Sequence, residues 1–178
     1  MLTLILGGAR SGKSRHALEL AAHAPRPALI ATAEPLDDEM RHRIRRHREE
    51  RQGRFFTLEE PVDLAGALQR LPADTGIAVV DCLTVWLGNL LYRRGDAAFS
   101  EDPGELAEVA ALLAALDRPP CPLVLVANEV GLGIIPENPL ARTFGDLAGR
   151  LNQAVAARAQ RVVFMIAGLP LVLKGGPG

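Results

Sequence analysis

Residues 7–14 constrain this chain more than any other stretch. Gly7-Gly8-Ala9-Arg10-Ser11-Gly12-Lys13-Ser14 matches the pattern G-x-x-x-x-G-K-S. It follows the apolar run Leu2–Leu6, which reads as a buried strand. It precedes Arg15–His23, whose Ala17, Leu18, Ala21 and Ala22 share the apolar side of a helix. Strand, glycine loop and helix form the context in which such a loop wraps phosphate. The glycines let the backbone wind with its N–H groups pointing inward, and the helix start adds positive partial charge. Lys13 would reach the β- and γ-phosphates of a nucleotide, and the Ser14 hydroxyl would bind Mg²⁺. Gly7, Gly8, Ala9, Arg10, Ser11, Gly12, Lys13 and Ser14 are therefore candidate nucleotide-binding residues, with Lys13 also a candidate catalytic residue. Lys13 and Lys174 are the only lysines among 20 Lys and Arg side chains, so the lysine at this position stands out.

The rest of the chain continues the alternation. Ala28–Ala31, Phe55–Leu58, Gly76–Asp81, Leu123–Ala127, Val162–Ala167 and Leu171–Lys174 read as strands. The intervening segments 37–52, Val62–Leu71, Leu83–Arg93, Glu105–Leu116 and 139–160 read as helices, and 96–104 as a loop. Apolar strands alternating with helices predict an α/β fold with a mostly parallel sheet covered on both faces. The last two strands are close enough for a hairpin, so one antiparallel C-terminal strand is expected. No repeat, low-complexity tract or linker interrupts the chain, and 178 residues suit one domain over 1–178.

Composition narrows the class of function. Twenty basic and 21 acidic side chains give a net charge of −1, which argues against a globally basic nucleic-acid binder. Cys82 and Cys121 lie far apart, outside any Cys-x-x-Cys pattern, which fits a reducing compartment. No apolar run approaches the roughly 20 residues of a membrane span, and the N-terminus lacks the basic start of a signal peptide. A cytoplasmic protein is expected.

Three further constellations bear on chemistry. Asp81 ends a buried strand, where an acid can complete a Mg²⁺ shell beside the phosphate loop or simply cap the next helix. The predicted helix 37–52 and its exit carry Arg41, Arg43, Arg45, Arg46, Arg48, Arg51 and Arg54 with His42 and His47. A neutral His47 with Arg43 and Arg51 on its face suits attack on a nucleotide α-phosphate, the arginines stabilising the growing charge. A solvated basic face and a nucleic-acid surface are the other readings; one Trp and one Tyr in the whole chain weaken the latter. Asn128 and Glu129 follow a strand at the end where α/β proteins place ligands, and Glu129 is a candidate nucleotide contact. His16 and His23 read as surface or packing residues, and the two cysteines as small apolar groups.

Together these residues resemble the bifunctional adenosylcobinamide kinase / adenosylcobinamide-phosphate guanylyltransferase family of cobalamin synthesis. The resemblance runs through residues 7–14, Ala31-Thr32, Asp37-Asp38-Glu39-Met40, Arg43-Ile44 and His47-Arg48. It continues through Asn128-Glu129-Val130-Gly131, Gly133-Ile134, Pro136-Glu137-Asn138, Arg142, Phe144, Asp146, Gly149-Arg150 and Asn152-Gln153. It implies a RecA-like P-loop sheet and a homotrimer. It also implies two reactions on nucleoside triphosphate and corrinoid substrates, with no nucleic acid and no membrane span. One reaction phosphorylates adenosylcobinamide with ATP or GTP; the other passes GMP from GTP to the product through a guanylylated histidine. By position that histidine is His47, the phosphate loop is 7–14, and the Mg²⁺ ligands are Ser14 and Asp81. A plain P-loop small-molecule kinase and a nucleotide-dependent nucleic-acid binder using 37–54 are the rival expectations.

Overall fold

The computed structural model describes residues 1–34, 53–95 and 106–176. The helix expected over 37–52, with Arg43, His47 and Arg51, and the loop expected over 96–104 lie outside the described residues.

Seven strands form one sheet: β1 (Leu2–Gly7), β2 (Pro27–Ala31), β3 (Phe56–Glu59), β4 (Ile77–Asp81), β5 (Leu123–Val126), β6 (Arg161–Ile166) and β7 (Leu169–Lys174). Their order is β3-β2-β4-β5-β1-β6-β7. All pairings are parallel except β6 with β7, the antiparallel hairpin the sequence predicts. The described helices are α1 (Lys13–Ala21), α2 (Leu64–Gln69), α3 (Leu83–Arg94), α4 (Ala107–Asp117) and α5 (Pro139–Arg158).

The strands are apolar throughout because both faces are covered, and the period of two sorts their residues. Leu2, Leu4, Ala78, Val80, Leu123 and Leu125 point into the core beneath α2, α3, α4 and α5. Ile5, Val79, Val124, Val126 and Val163 point to the other face, where Ala17 and Ala21 of α1 cover them. The small side chains of α1 bring its backbone close to the sheet. That closeness seats the helix start directly behind the end of β1.

Several boundaries differ from the sequence reading by a residue or two, and three of the shifts have local reasons. Helix α2 starts at Leu64 because the Asp63 carboxylate accepts from the Gly66 amide and caps it. Helix α1 begins at Lys13, two residues earlier than the apolar spacing indicates, with Gly12 in the left-handed region (φ 95°) as its cap. Strand β7 runs through Pro170, where a break was expected; an edge strand tolerates proline. The β6–β7 turn places Ala167 and Gly168 both at positive φ (51° and 82°), the backbone of a tight two-residue hairpin.

Candidate active site

The carboxyl ends of β1, β2, β4 and β5 lie side by side, and the chemistry-bearing residues collect there. At the end of β1, Gly7 admits no side chain: a Cβ would sit 2.6 Å from the Met165 carbonyl oxygen. The loop then turns, with the Ser11 amide bonded to Gly8 O (3.3 Å) and Arg10 held at φ 57° on the exposed tip. The hairpin turn supports it from outside, Gly168 N–H donating to Ser11 O (3.1 Å). Lys13 is 7% exposed. Its Nζ donates to Gly8 O at 2.6 Å and lies 3.4 Å from Ser11 Oγ, so the ammonium points into the concavity of the loop. Burial lowers the Lys13 pKa, while the Asp81 carboxylate nearby favours the charged form. Ser14 follows, half-buried in the first turn of α1.

Asp81 ends β4, one strand beyond β5, and stands within electrostatic reach of Lys13. The N-cap of α3 is Cys82, not Asp81: its Sγ accepts from Val85 N at 3.4 Å. The capping alternative weighed for Asp81 therefore falls to its neighbour. Desolvation, with Asp81 adding to it, pushes the Cys82 thiol up to about 11, so it remains a thiol at neutral pH.

Glu129 reaches the loop through its backbone, its N–H donating to Gly7 O (3.0 Å). Its carboxylate accepts from Gly131 N (2.8 Å). Asn128 is gripped at both ends: its N–H donates to Thr84 Oγ1 (2.7 Å), and Asn152 Nδ2 donates to its carbonyl (3.2 Å). His16 is half-buried and His23 exposed, in keeping with packing and surface roles.

Residue-by-residue reading gave no role to Thr32, Thr84, Asn89 and Asn152, although Thr32 and Asn152 fall within the motifs quoted above. All four are buried. The available signal was a polar residue in an apolar setting: Thr84 and Asn89 interrupt the buried run of Leu83, Trp86, Leu87, Leu90 and Leu91 in α3.

Mg²⁺ takes oxygen ligands, keeps several waters, and needs only one or two protein groups beside substrate phosphates. The Ser14 hydroxyl, in the first turn of α1, and the Asp81 carboxylate, at the end of β4, are oxygen donors of the kind that demand calls for. Among the described residues no group of three or more His, Cys, Asp and Glu forms a metal cluster. No helix among them is long and apolar enough to cross a membrane.

A glycine loop between strand and helix, a buried lysine in its concavity and an acid ending a nearby parallel strand define a P-loop nucleotide-binding α/β protein. Comparison with known proteins narrows the class. The family described as cobinamide kinase / cobinamide phosphate guanyltransferase matches residues 3–173. The chain is 49% identical to the bifunctional adenosylcobalamin biosynthesis protein CobP of Pseudomonas aeruginosa, covering 99% of each chain. It is 41% and 40% identical to the bifunctional adenosylcobalamin biosynthesis proteins CobU of Salmonella typhimurium and Escherichia coli, over 98% of this chain and 100% of each relative. Among solved structures, the P4 protein from bacteriophage phi6 in complex with ADP aligns over 95% of this chain and 52% of that one, at 16% identity and TM-score 0.46. The chain belongs to the cobinamide kinase / cobinamide phosphate guanyltransferase family.

Proposed function

We propose that this chain carries out both reactions of its family in one domain spanning residues 1–178, on one phosphate loop. The observation that carries the reading is Lys13, buried at the centre of that loop with Asp81 in reach, in a chain that matches the family over residues 3–173.

In the kinase step the loop holds the β- and γ-phosphates of ATP or GTP. The terminal hydroxyl of adenosylcobinamide attacks the γ-phosphorus in line, and the nucleoside diphosphate leaves. In the transferase step GTP occupies the same loop and His47 attacks the α-phosphorus. The N–P bond forms as the α–β anhydride breaks, and pyrophosphate departs toward Lys13, with Arg43 and Arg51 offsetting its charge. A phosphate oxygen of adenosylcobinamide-phosphate then attacks the same phosphorus. The N–P bond breaks, and adenosylcobinamide-GDP forms with His47 restored. Glu129 is assigned to the nucleotide side of the cleft. Ser14 and Asp81 would hold Mg²⁺, which supplies charge neutralisation at the phosphates when bound.

The enzyme is assigned to the cytoplasm, in keeping with two free cysteines, and to a homotrimer. Support for assembly comes from β7, an edge strand whose six residues are all exposed, among them Leu169, Leu171, Val172 and Leu173.

The test is covalent labelling. Incubation with α-labelled GTP followed by a denaturing gel should leave acid-labile, base-stable label on the protein. His47→Ala should lose the label and guanylyl transfer yet still phosphorylate adenosylcobinamide; His42→Ala should keep the label. Label retained by His47→Ala assigns the nucleophile elsewhere. Wild-type protein that never takes up label reduces the chain to a kinase or a nucleotide-dependent binder.

A further inference from the structure

Seven polar or charged residues are buried among the described residues: Thr3, Ser11, Lys13, Thr32, Thr84, Asn89 and Asn152. Buried polar groups are costly unless bonded, so where a chain places them is informative. Ser11 and Lys13 belong to the phosphate loop. Thr32, Thr84, Asn89 and Asn152 all donate to or accept from backbone at the carboxyl ends of the strands or in the segments just beyond.

Thr32 is the most enclosed of them, 0% exposed, one residue beyond the last β2–β4 ladder pair, Ala31 with Asp81. Every polar group it has is engaged on one target or its lock. Its N–H donates to Asp81 O (3.1 Å). Its hydroxyl donates to Cys82 O and accepts from Cys82 N–H, both at 2.8 Å. Its carbonyl accepts from Asn89 Nδ2 (2.8 Å), and the same amide group donates to Pro61 O (3.1 Å). Three bonds thus clasp the Asp81–Cys82 segment, and Asn89 of α3 ties Thr32 to Pro61, just beyond β3. The hydroxyl has no exposed surface and both its roles are filled, so it touches no substrate.

We propose that Thr32, locked by Asn89, is a positioning residue that sets the Asp81 carboxylate for Mg²⁺-linked nucleotide binding. The physical reason is geometric. A carboxylate that must meet an octahedral ion needs its backbone held to a fraction of an ångström, and Asp81 sits at a strand terminus, where the ladder no longer holds the next residue. This inference rests on the assignment of Asp81 to Mg²⁺ made above.

The experiment is titration calorimetry of the full chain with GTP, in Mg²⁺ and in EDTA. The variants are Thr32→Val, Thr32→Ser, Asp81→Asn and the double variant Asp81→Asn/Thr32→Val. Thr32→Val keeps the shape and loses both hydroxyl bonds. It should weaken GTP binding in Mg²⁺ by about tenfold, the worth of a misplaced charged contact. In EDTA it should stay within about twofold of the native chain. Thr32→Ser, which keeps the hydroxyl, should restore the Mg²⁺ response. In the Asp81→Asn background Thr32→Val should add nothing, because two residues acting through one group are not additive. Equal weakening in Mg²⁺ and EDTA, failure of the serine to rescue, or additivity in the double variant overturns the proposal. A Mg²⁺ response lost in Asp81→Asn but intact in Thr32→Val also overturns it alone. A response intact in Asp81→Asn overturns the assignment of Asp81 and this inference with it. If Thr32→Val does not fold, Asn89→Ala carries the same expectation, and an intact Mg²⁺ response there overturns the proposal.

Discussion

At the scale of single residues, Lys13 concentrates the function assigned to the chain. Its ammonium already lies in the loop, on Gly8 O, and a bound phosphate would take over that bond. On the proposal that one loop serves both reactions, Lys13→Ala should depress kinase and guanylyl-transfer rates together. A positioned charge-stabilising donor is typically worth about 10²–10³ in rate. Steady-state assays of both steps, with circular dichroism to verify the fold, check this; near-normal transfer in the variant would separate the two sites. The motif made Lys13 and the loop glycines legible from spacing alone. Asp81 was legible as an acid ending an apolar run, but that its neighbour caps α3 was not, because the cap is a cysteine sulfur one residue on.

At the scale of elements, the segment that launches α2 shows how one carboxylate organises a turn. Glu60 Oε1 accepts from the amides of Val62 (3.0 Å) and Asp63 (2.9 Å), and Oε2 accepts from Arg70 (2.6 Å) just past the far end of the helix. Desolvation pushes the Glu60 pKa up, but the two amides and Arg70 together outweigh it and leave it below the ordinary 4.5. A depressed carboxylate stabilises the fold above its unfolded value and loses that contribution as pH falls through the folded value. Thermal melts should therefore place Glu60→Gln below the native chain at pH 7, with the gap closing as pH drops below about 4.5. A gap unchanged down to pH 3 would show that the charge contributes nothing. Periodicity revealed each described helix and strand to within a few residues. It missed the ends, because Asp63, Gly12 and the Ala167–Gly168 turn set them through local backbone bonds and left-handed backbone that apolar spacing does not encode.

At the scale of the whole molecule, the sheet is asymmetric: of the described helices, α1 alone covers one face, and β7 leaves an apolar edge open. Exposed edges of this kind are managed by pairing or cover. Leu171→Lys with Leu173→Lys should convert the proposed trimer to monomers, as read by light scattering, without unfolding the sheet. A native chain that is already monomeric, or a variant that keeps its mass, would remove β7 from the interface. By itself the sequence determined the alternation of strands and helices, the parallel sheet, the closing hairpin and the phosphate loop. All of these follow from short-range period and spacing, and the ordered motifs also identified the family. Tertiary structure alone decided the strand order, and so which strand ends share a mouth with the loop. It also decided that Thr32, Thr84, Asn89 and Asn152 brace that mouth. Their partners lie 50, 44, 57 and 24 residues away in the chain, and no local pattern records a hydrogen bond closed only when distant strands align.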